Sequence, residues 1–219
     1  MKGIKAVIFD LDGTLTYTLQ DLTDAVNYAL AYLGYKLRAL DEVRGFVGDG
    51  IRKLVERALP QNCDQDVLDN CYKKTMEYYV VHSTDHTVPY ENMVELLTEL
   101  NANGIKVGVV TNKVIGQANE IVRRFFDDSV SYISGDDGVT KLKPSSEGVE
   151  KCLKFFSVLP EEIYYVGDGA QDAKTATNAN ADFIYVSWGY GQPESLKNYD
   201  VKHSVSNAKE LREILLNCK

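Results

Sequence analysis

Five short apolar runs, at 6–9, 107–110, 130–133, 163–166 and 183–186, alternate with longer stretches of helical periodicity. Runs so rich in Val, Ile and Tyr leave no face for water, so they fit strands buried on both sides, and the helices between them supply the crossovers of a parallel sheet. The alternation breaks once, between residues 9 and 107. Within that gap, 19–79 keeps a helical period without a strand. Asp21, Leu22, Ala25, Val26, Tyr28, Ala29, Tyr32 and Leu33 form one such helix, which Gly34 is placed to end. After Pro89 and Tyr90 a fresh amphipathic helix, 93–100, leads into the second run. The pattern predicts an α/β core made of 1–15 and 84–219, interrupted by a helical insertion over 16–83.

A chain of 219 residues that is 44% apolar can bury a core and an inserted unit together. Its formal net charge of -8 repels nucleic acid backbones and anionic membrane surfaces, which leaves a small molecule as the expected partner. The run at 6–9 is too brief for a signal peptide core, and no later apolar stretch could span a bilayer, so a cytoplasmic location is expected. Cys63, Cys71, Cys152 and Cys218 lack the spacing of a zinc or redox motif and read as free thiols.

In open α/β sheets ligands gather at the carboxyl ends of the strands. The residues after the first run are Asp10, Asp12, Gly13 and Thr14; after the second, Thr111, Asn112 and Lys113; after the fourth, Gly167, Asp168 and then Asp172. Lys143, before Pro144, precedes the helix that feeds the fourth strand. Four carboxylates and one lysine are thus expected to converge, a balance that would repel a phosphate dianion unless a hard divalent cation neutralised it. Magnesium prefers such clustered carboxylate oxygens. With its charge screened, an aspartate can attack phosphorus, and a second carboxyl group can protonate the leaving oxygen and then activate water.

The segments IFDLDGTL, VVTN, the Lys143–Pro144 pair and YYVGDGAQD resemble, in order, the four motifs of the haloacid dehalogenase superfamily. The helical insertion resembles that family's cap domain on a Rossmann-like core, and VGDGIRKLVERAL and TVPYENMVELL look like its phosphoglycolate phosphatase branch. The resemblance implies a Mg2+-dependent phosphatase for a small phosphorylated metabolite, acting through an aspartyl-phosphate. It assigns the nucleophile to Asp10 and the general acid and base to Asp12. It assigns metal ligation to the carboxylates of Asp10 and Asp168 and the main-chain carbonyl of Asp12. Thr111 and Asn112 match donors to the phosphoryl oxygens, Lys143 matches the lysine that offsets charge on nucleophile and phosphate, and Asp172 matches a residue holding waters or Lys143.

Tyr17, Asn92, Gly169 and Asn180 depart from the residues common in relatives: aspartate, glycine, serine and glycine respectively. Asparagine tolerates left-handed backbone angles, so Asn92 and Asn180 are expected to keep the glycine conformation. In the insertion, Gly48 and Gly50 allow a loop to approach the substrate and Arg44 is a candidate for meeting a carboxylate; Lys53 reads as solvated charge. Asp172 equally suits the start of a helix. Asp127, Asp128, Asp136 and Asp137 read as turn residues, and His82 and His86 as packing near the return from the insertion. A monomer or homodimer is expected. A hexose phosphate mutase or pyrophosphatase of the same superfamily, a dehalogenase, and a weakly active phosphometabolite-binding protein remain as alternatives.

Overall fold

The computed structural model describes residues 3–217. In chain order, β1 (Ala6–Phe9) and β2 (Thr16–Tyr17) lead into four helices, α1 (Leu19–Tyr32), α2 (Leu40–Arg44), α3 (Ile51–Ala58) and α4 (Gln65–His82). The chain returns through β3 (Val88–Pro89) to α5 (Met93–Ala102), β4 (Lys106–Val114), α6 (Ile115–Phe125), β5 (Tyr132–Asp136) and α7 (Glu147–Phe156). It ends with β6 (Ile163–Gly167), α8 (Ala170–Asn178), β7 (Asp182–Val186), β8 (His203–Val205) and α9 (Ala208–Asn217). Six strands form one sheet in the order β5-β4-β1-β6-β7-β8, every pairing parallel. The chain winds outward from β1 in one direction and then in the other, so the switch in direction lies beside β1, where open α/β sheets place their ligands.

Strand periodicity decides which face each residue serves. Val7 and Phe9 of β1 join Val107 and Val109 in a core covered by Leu96 and Leu100 of α5, Ile121 of α6 and Leu211 of α9. Ala6 and Ile8 point to the opposite face, toward Val149, Cys152 and Phe156 of α7 and Ala173 and Ala176 of α8. The central strands of the sheet are therefore buried on both sides, which is why β1, β6 and most of β4 and β7 read as apolar runs. The four helices of the insertion hold a separate core built on Leu22, Val26 and Leu30 of α1, Leu54 and Val55 of α3, and Leu68 and Tyr79 of α4. Where the chain leaves and re-enters, β2 and β3 pair antiparallel, and buried Asp21 accepts hydrogen bonds from His86 N (2.8 Å), Thr87 N (2.9 Å) and Thr87 Oγ1 (2.7 Å).

Three strand expectations need correction. The second run extends through Val114, with an irregular register against β5 between Val110 and Val114. The third strand starts at Tyr132 rather than residue 130, because a 3-10 turn at Asp127–Ser129 delivers Val130 as connection, and it continues into small residues. Gly135 is one of these: a Cβ there would lie 2.7 Å from Lys113 O. The sixth strand, β8, is a three-residue edge that pairs with β7 alone, too short and too polar to register as an apolar run. Helix α1 begins at Leu19 and ends at Tyr32, with Gly34 at φ +75°.

Cys63, Cys71 and Cys152 are free thiols, and Cys218 lies outside the described residues. No helix among the described residues is long and apolar enough to cross a membrane. Asn92 and Asn180 adopt left-handed angles, φ +61° and +54°, so both positions keep a glycine-like backbone. A Cβ without a local hydrogen-bonding side chain costs about 1–2 kcal/mol there. Asn92→Ala is therefore expected to lower unfolding stability by about 1 kcal/mol while Asn92→Gly does not, as read from urea denaturation; equal stabilities would contradict the backbone assignment.

Candidate active site

Asp10 sits directly past β1, its backbone N held by Val166 O (2.9 Å) as a continuation of the ladder to β6. Its carboxylate is buried, as are those of Asp168 and Asp172. Oxygens of these three groups lie within 4.8 Å of one another. Lys143 Nζ reaches 2.7 Å from both Asp10 Oδ1 and Asp172 Oδ1. Asp10 Oδ1 is withdrawn from water, and among the described residues it is the Lys143 ammonium that faces it.

Burial pushes the Asp10 carboxyl up from 3.8 to about 8; Lys143 opposes the shift, and repulsion from Asp172 and Asp168 adds to it. Burial and then Asp172 likewise lift Asp168 to about 6, against the N–H groups of Tyr190 and Gly191 that favour its charge. Burial acts to lower the Lys143 pKa, but Asp10 and Asp172 outweigh it and hold the ammonium firmly charged. One lysine cannot neutralise three buried carboxylates. The donor set is all oxygen and in excess over cationic charge, and so it fits a hard divalent cation.

Local structure aims each group. Gly13, at φ +86°, permits the turn after β1, and a Cβ on it would lie 2.7 Å from Asp168 Oδ2. Asp168 Oδ2 accepts from Tyr190 N (2.6 Å) and Gly191 N (3.1 Å), and Oδ1 accepts from Thr14 Oγ1 (3.3 Å). Asp172 makes contacts toward both the helix start and Lys143. Its Oδ2 accepts from Gly169 N (3.1 Å) at the start of α8, while Oδ1 orients Lys143. Gly169 is extended at φ -146°, and the nearest atom to an added Cβ, Asp172 Oδ2, would be 3.9 Å away, so the backbone needs no glycine here.

Asn112 holds the Lys143 segment from both sides, accepting from Lys143 N at 2.7 Å and donating to Lys143 O at 3.2 Å, and it also donates to Gly48 O at 3.0 Å. Its amide is thus engaged by protein at both ends. Thr111 Oγ1 accepts from Lys113 N (3.2 Å), leaving its own hydrogen to donate. Asp12 lies on the same loop as Asp10, with Oδ1 accepting from Lys113 Nζ at 2.8 Å. Burial acts to lower the Lys113 pKa, but Asp12 and Tyr79 outweigh it and hold it above the usual lysine value.

These groups line a cavity of about 480 Å³ between the sheet and the helical insertion. From the insertion come Arg44, the loop 47–50 and Tyr79. Half-buried Arg44 makes no ion pair among the described residues, whereas Lys143, Lys113 and Arg57 face Asp10, Asp12 and Asp49 respectively. Lys53 pairs with Glu56 at 2.6 Å on the surface. Asp136 and Asp137 cap the turn that follows them through Gly138 N and Val139 N, and His82 stacks on Tyr78 at 4.2 Å, all away from the cavity. Tyr17 packs edge-on against Tyr90 (6.5 Å) and Tyr190 (6.2 Å), making the chain's exit from the core aromatic.

The sequence reading did not single out the loop after β7. Gly189 and Gly191 approach Asp168 so closely that an added Cβ would fall 2.3 Å from Asp168 Oδ2 and 2.0 Å from Asp168 O. The hydroxyl of Tyr190 accepts from Thr18 N (2.7 Å) at the entrance to α1. The signal that points to this loop is its place at the carboxyl end of the fifth apolar run, as for the residues after the first, second and fourth.

The sequence model of the haloacid dehalogenase-like hydrolases matches residues 7–186. A phosphoglycolate phosphatase of Chromobacterium violaceum is 31% identical over 222 residues, covering 99% of each chain. One from Psychrobacter arcticus is 30% identical over 96% of this chain and 95% of its own. A solved structure from Lactobacillus delbrueckii subsp. bulgaricus, described as a candidate phosphoglycolate phosphatase, superposes with a TM-score of 0.92 at 28% identity, covering 98% of this chain and 99% of its own. With the motif residues gathered at the carboxyl end of the sheet and the match running through most of it, the chain belongs to the haloacid dehalogenase-like hydrolase family.

Proposed function

We propose that this protein is a Mg2+-dependent phosphatase for a small phosphomonoester, with Asp10 as the nucleophile and phosphoglycolate as the first substrate to test. The observation that carries the reading is the buried Asp10 carboxylate at the switch point of the sheet, lining the cavity with Lys143 2.7 Å from its Oδ1. The names of the relatives support the choice of substrate. The inserted bundle, 16–83, is read as the cap over a core of 1–15 and 84–219.

In this reading Asp10 forms a bond to phosphorus as the ester oxygen departs, and a proton passes from Asp12 to that oxygen. Water then attacks the aspartyl-phosphate, gives its proton to Asp12 and releases phosphate and free Asp10. Lys143 stays charged throughout, offsetting the nucleophile and the phosphoryl oxygens. Thr111 donates to a phosphoryl oxygen, and Asn112 acts through the Lys143 segment it holds. The carboxylates of Asp10 and Asp168 and the main-chain carbonyl of Asp12 would hold the Mg2+, with Asp172 beside them orienting Lys143. The cation supplies neutralisation of the carboxylates and withdraws electron density from the phosphoryl group.

Arg44 is read as the group that recognises the substrate's second anion. Phosphoglycolate carries a carboxylate, and Arg44 is the cavity cation without an ion pair among the described residues. The same reading has a cytoplasmic enzyme, monomer or homodimer, working on free metabolites.

Asp10→Asn is expected to retain the fold by circular dichroism and to lose phosphate release by about three orders of magnitude or more; near-normal turnover would refute the nucleophile. Arg44→Ala should raise KM for phosphoglycolate while barely altering that for a neutral alkyl phosphate; equal changes for both would remove its role.

The carboxyl shifts predict how the metal acts on stability. Asp10 and Asp168 have folded pKa values raised from 3.8 to about 8 and about 6, so the folded state binds more protons than the unfolded one in between. Metal-free stability from these groups is complete below about pH 4 and lost as pH rises through those values. Mg2+ binds the ionised carboxylates, so the Tm increment from millimolar Mg2+ over EDTA should be larger at pH 8 than at pH 6. An increment that is absent, or that shrinks with pH, would contradict the site.

A further inference from the structure

Lys113 is as deeply buried as Lys143 but has no part in the steps above. Its ammonium lies between two groups: Asp12 Oδ1, which accepts from Nζ at 2.8 Å, and the hydroxyl of Tyr79, which also accepts from it. Tyr79 is fully buried on α4, the long helix of the bundle. A single lysine at the end of β4 thus joins the proposed proton donor on the loop after β1 to a helix of the insertion.

The geometry has a chemical consequence. With Lys113 fixed on Oδ1, the Asp12 carboxyl, which lines the cavity, keeps Oδ2 without a hydrogen-bond partner among the described residues. Burying a lysine is costly unless its donors are satisfied, and Tyr79 supplies the second acceptor. Without that hydroxyl, the ammonium loses one of the contacts that set its position, and Asp12 loses its aim. We propose that Lys113 and Tyr79 are positioning residues for Asp12, fixing one carboxyl oxygen so that the other delivers the proton to the leaving group, and tying that aim to the seating of α4 against the sheet.

This inference rests on the proposed acid role of Asp12, and leaving-group dependence separates the two. A proton donor matters most when the departing oxygen is strongly basic, as in the alkoxide of phosphoglycolate, and least for the far more acidic 4-nitrophenol of 4-nitrophenyl phosphate. Only kcat/KM is compared, because it reports the steps up to leaving-group departure and omits the later attack of water. Asp12→Asn is the reference: its ratio of alkyl to aryl kcat/KM should collapse. Lys113→Met should then lower the same ratio by about tenfold or more, part of the 10²–10⁴ that a general acid contributes. Tyr79→Phe removes a single oxygen and should shift the ratio in the same direction by a smaller factor; it decides alone if the lysine variant does not fold.

A general loss of structure would lower both substrates together and leave the ratio in place. If Asp12→Asn shifts the ratio but it is unchanged in either Lys113→Met or Tyr79→Phe, the positioning inference is overturned and the acid assignment stands. If Asp12→Asn itself leaves the ratio unchanged, the acid assignment falls, and the inference with it.

Discussion

Three carboxylates gathered around one lysine, all withdrawn from water, are the constraint to which the rest of the site is fitted. Asp10, Asp168 and Asp172 repel one another at the carboxyl end of the sheet, and Lys143 contacts two of them at 2.7 Å. Burial raises the cost of that repulsion, since the interior screens charge far less than water does. Each surrounding device answers part of the cost. Backbone N–H groups of Tyr190 and Gly191 favour the Asp168 charge, Gly169 N at the start of α8 donates to Asp172, and the Lys143 ammonium faces Asp10.

The parallel sheet makes this concentration of charge possible. A strand buried on both faces offers reactive side chains only at its ends, and the switch in winding beside β1 leaves room there for loops from several strands to meet. Asp10, Asp168 and the loop at 189–191 follow β1, β6 and β7, and Thr111, Asn112 and Lys113 occupy the irregular end of β4. The glycines at 13, 189 and 191 belong to the same construction, because any larger residue would drive a Cβ into the carboxyl group or backbone of Asp168.

Over this end of the sheet lies the helical bundle, joined to it by polar contacts that cross the cavity rim. Asn112 donates to Gly48 O, Gln171 donates to Asp49, and Lys113 donates to Tyr79. The bundle has its own apolar core, into which Tyr190 from the loop after β7 packs, and the paired strands β2 and β3 add to the link between the two bodies. Contacts of this kind tie the bundle to the side chains at the carboxyl end of the sheet.

Sequence alone determined the parallel sheet, the single helical interruption and the identity of the convergent residues Asp10, Asp12, Thr111, Asn112, Lys143, Asp168 and Asp172. Strands buried on both faces, such as β1 and β6, leave a short apolar run, and reactive residues placed after such runs have only one end of the sheet on which to meet. Asn92 and Asn180 were legible for a similar reason, as residues that tolerate a left-handed backbone. The edge strand β8 and the small residues of β5 were not, because their places depend on what packs beside them. Tertiary structure alone decided that Asn112 would hold the Lys143 segment, that the loop at 189–191 would wrap Asp168, and that Lys113 would bridge Asp12 to Tyr79. Those pairings join residues far apart in the chain, and periodicity records which face a side chain uses but not which distant partner it finds there.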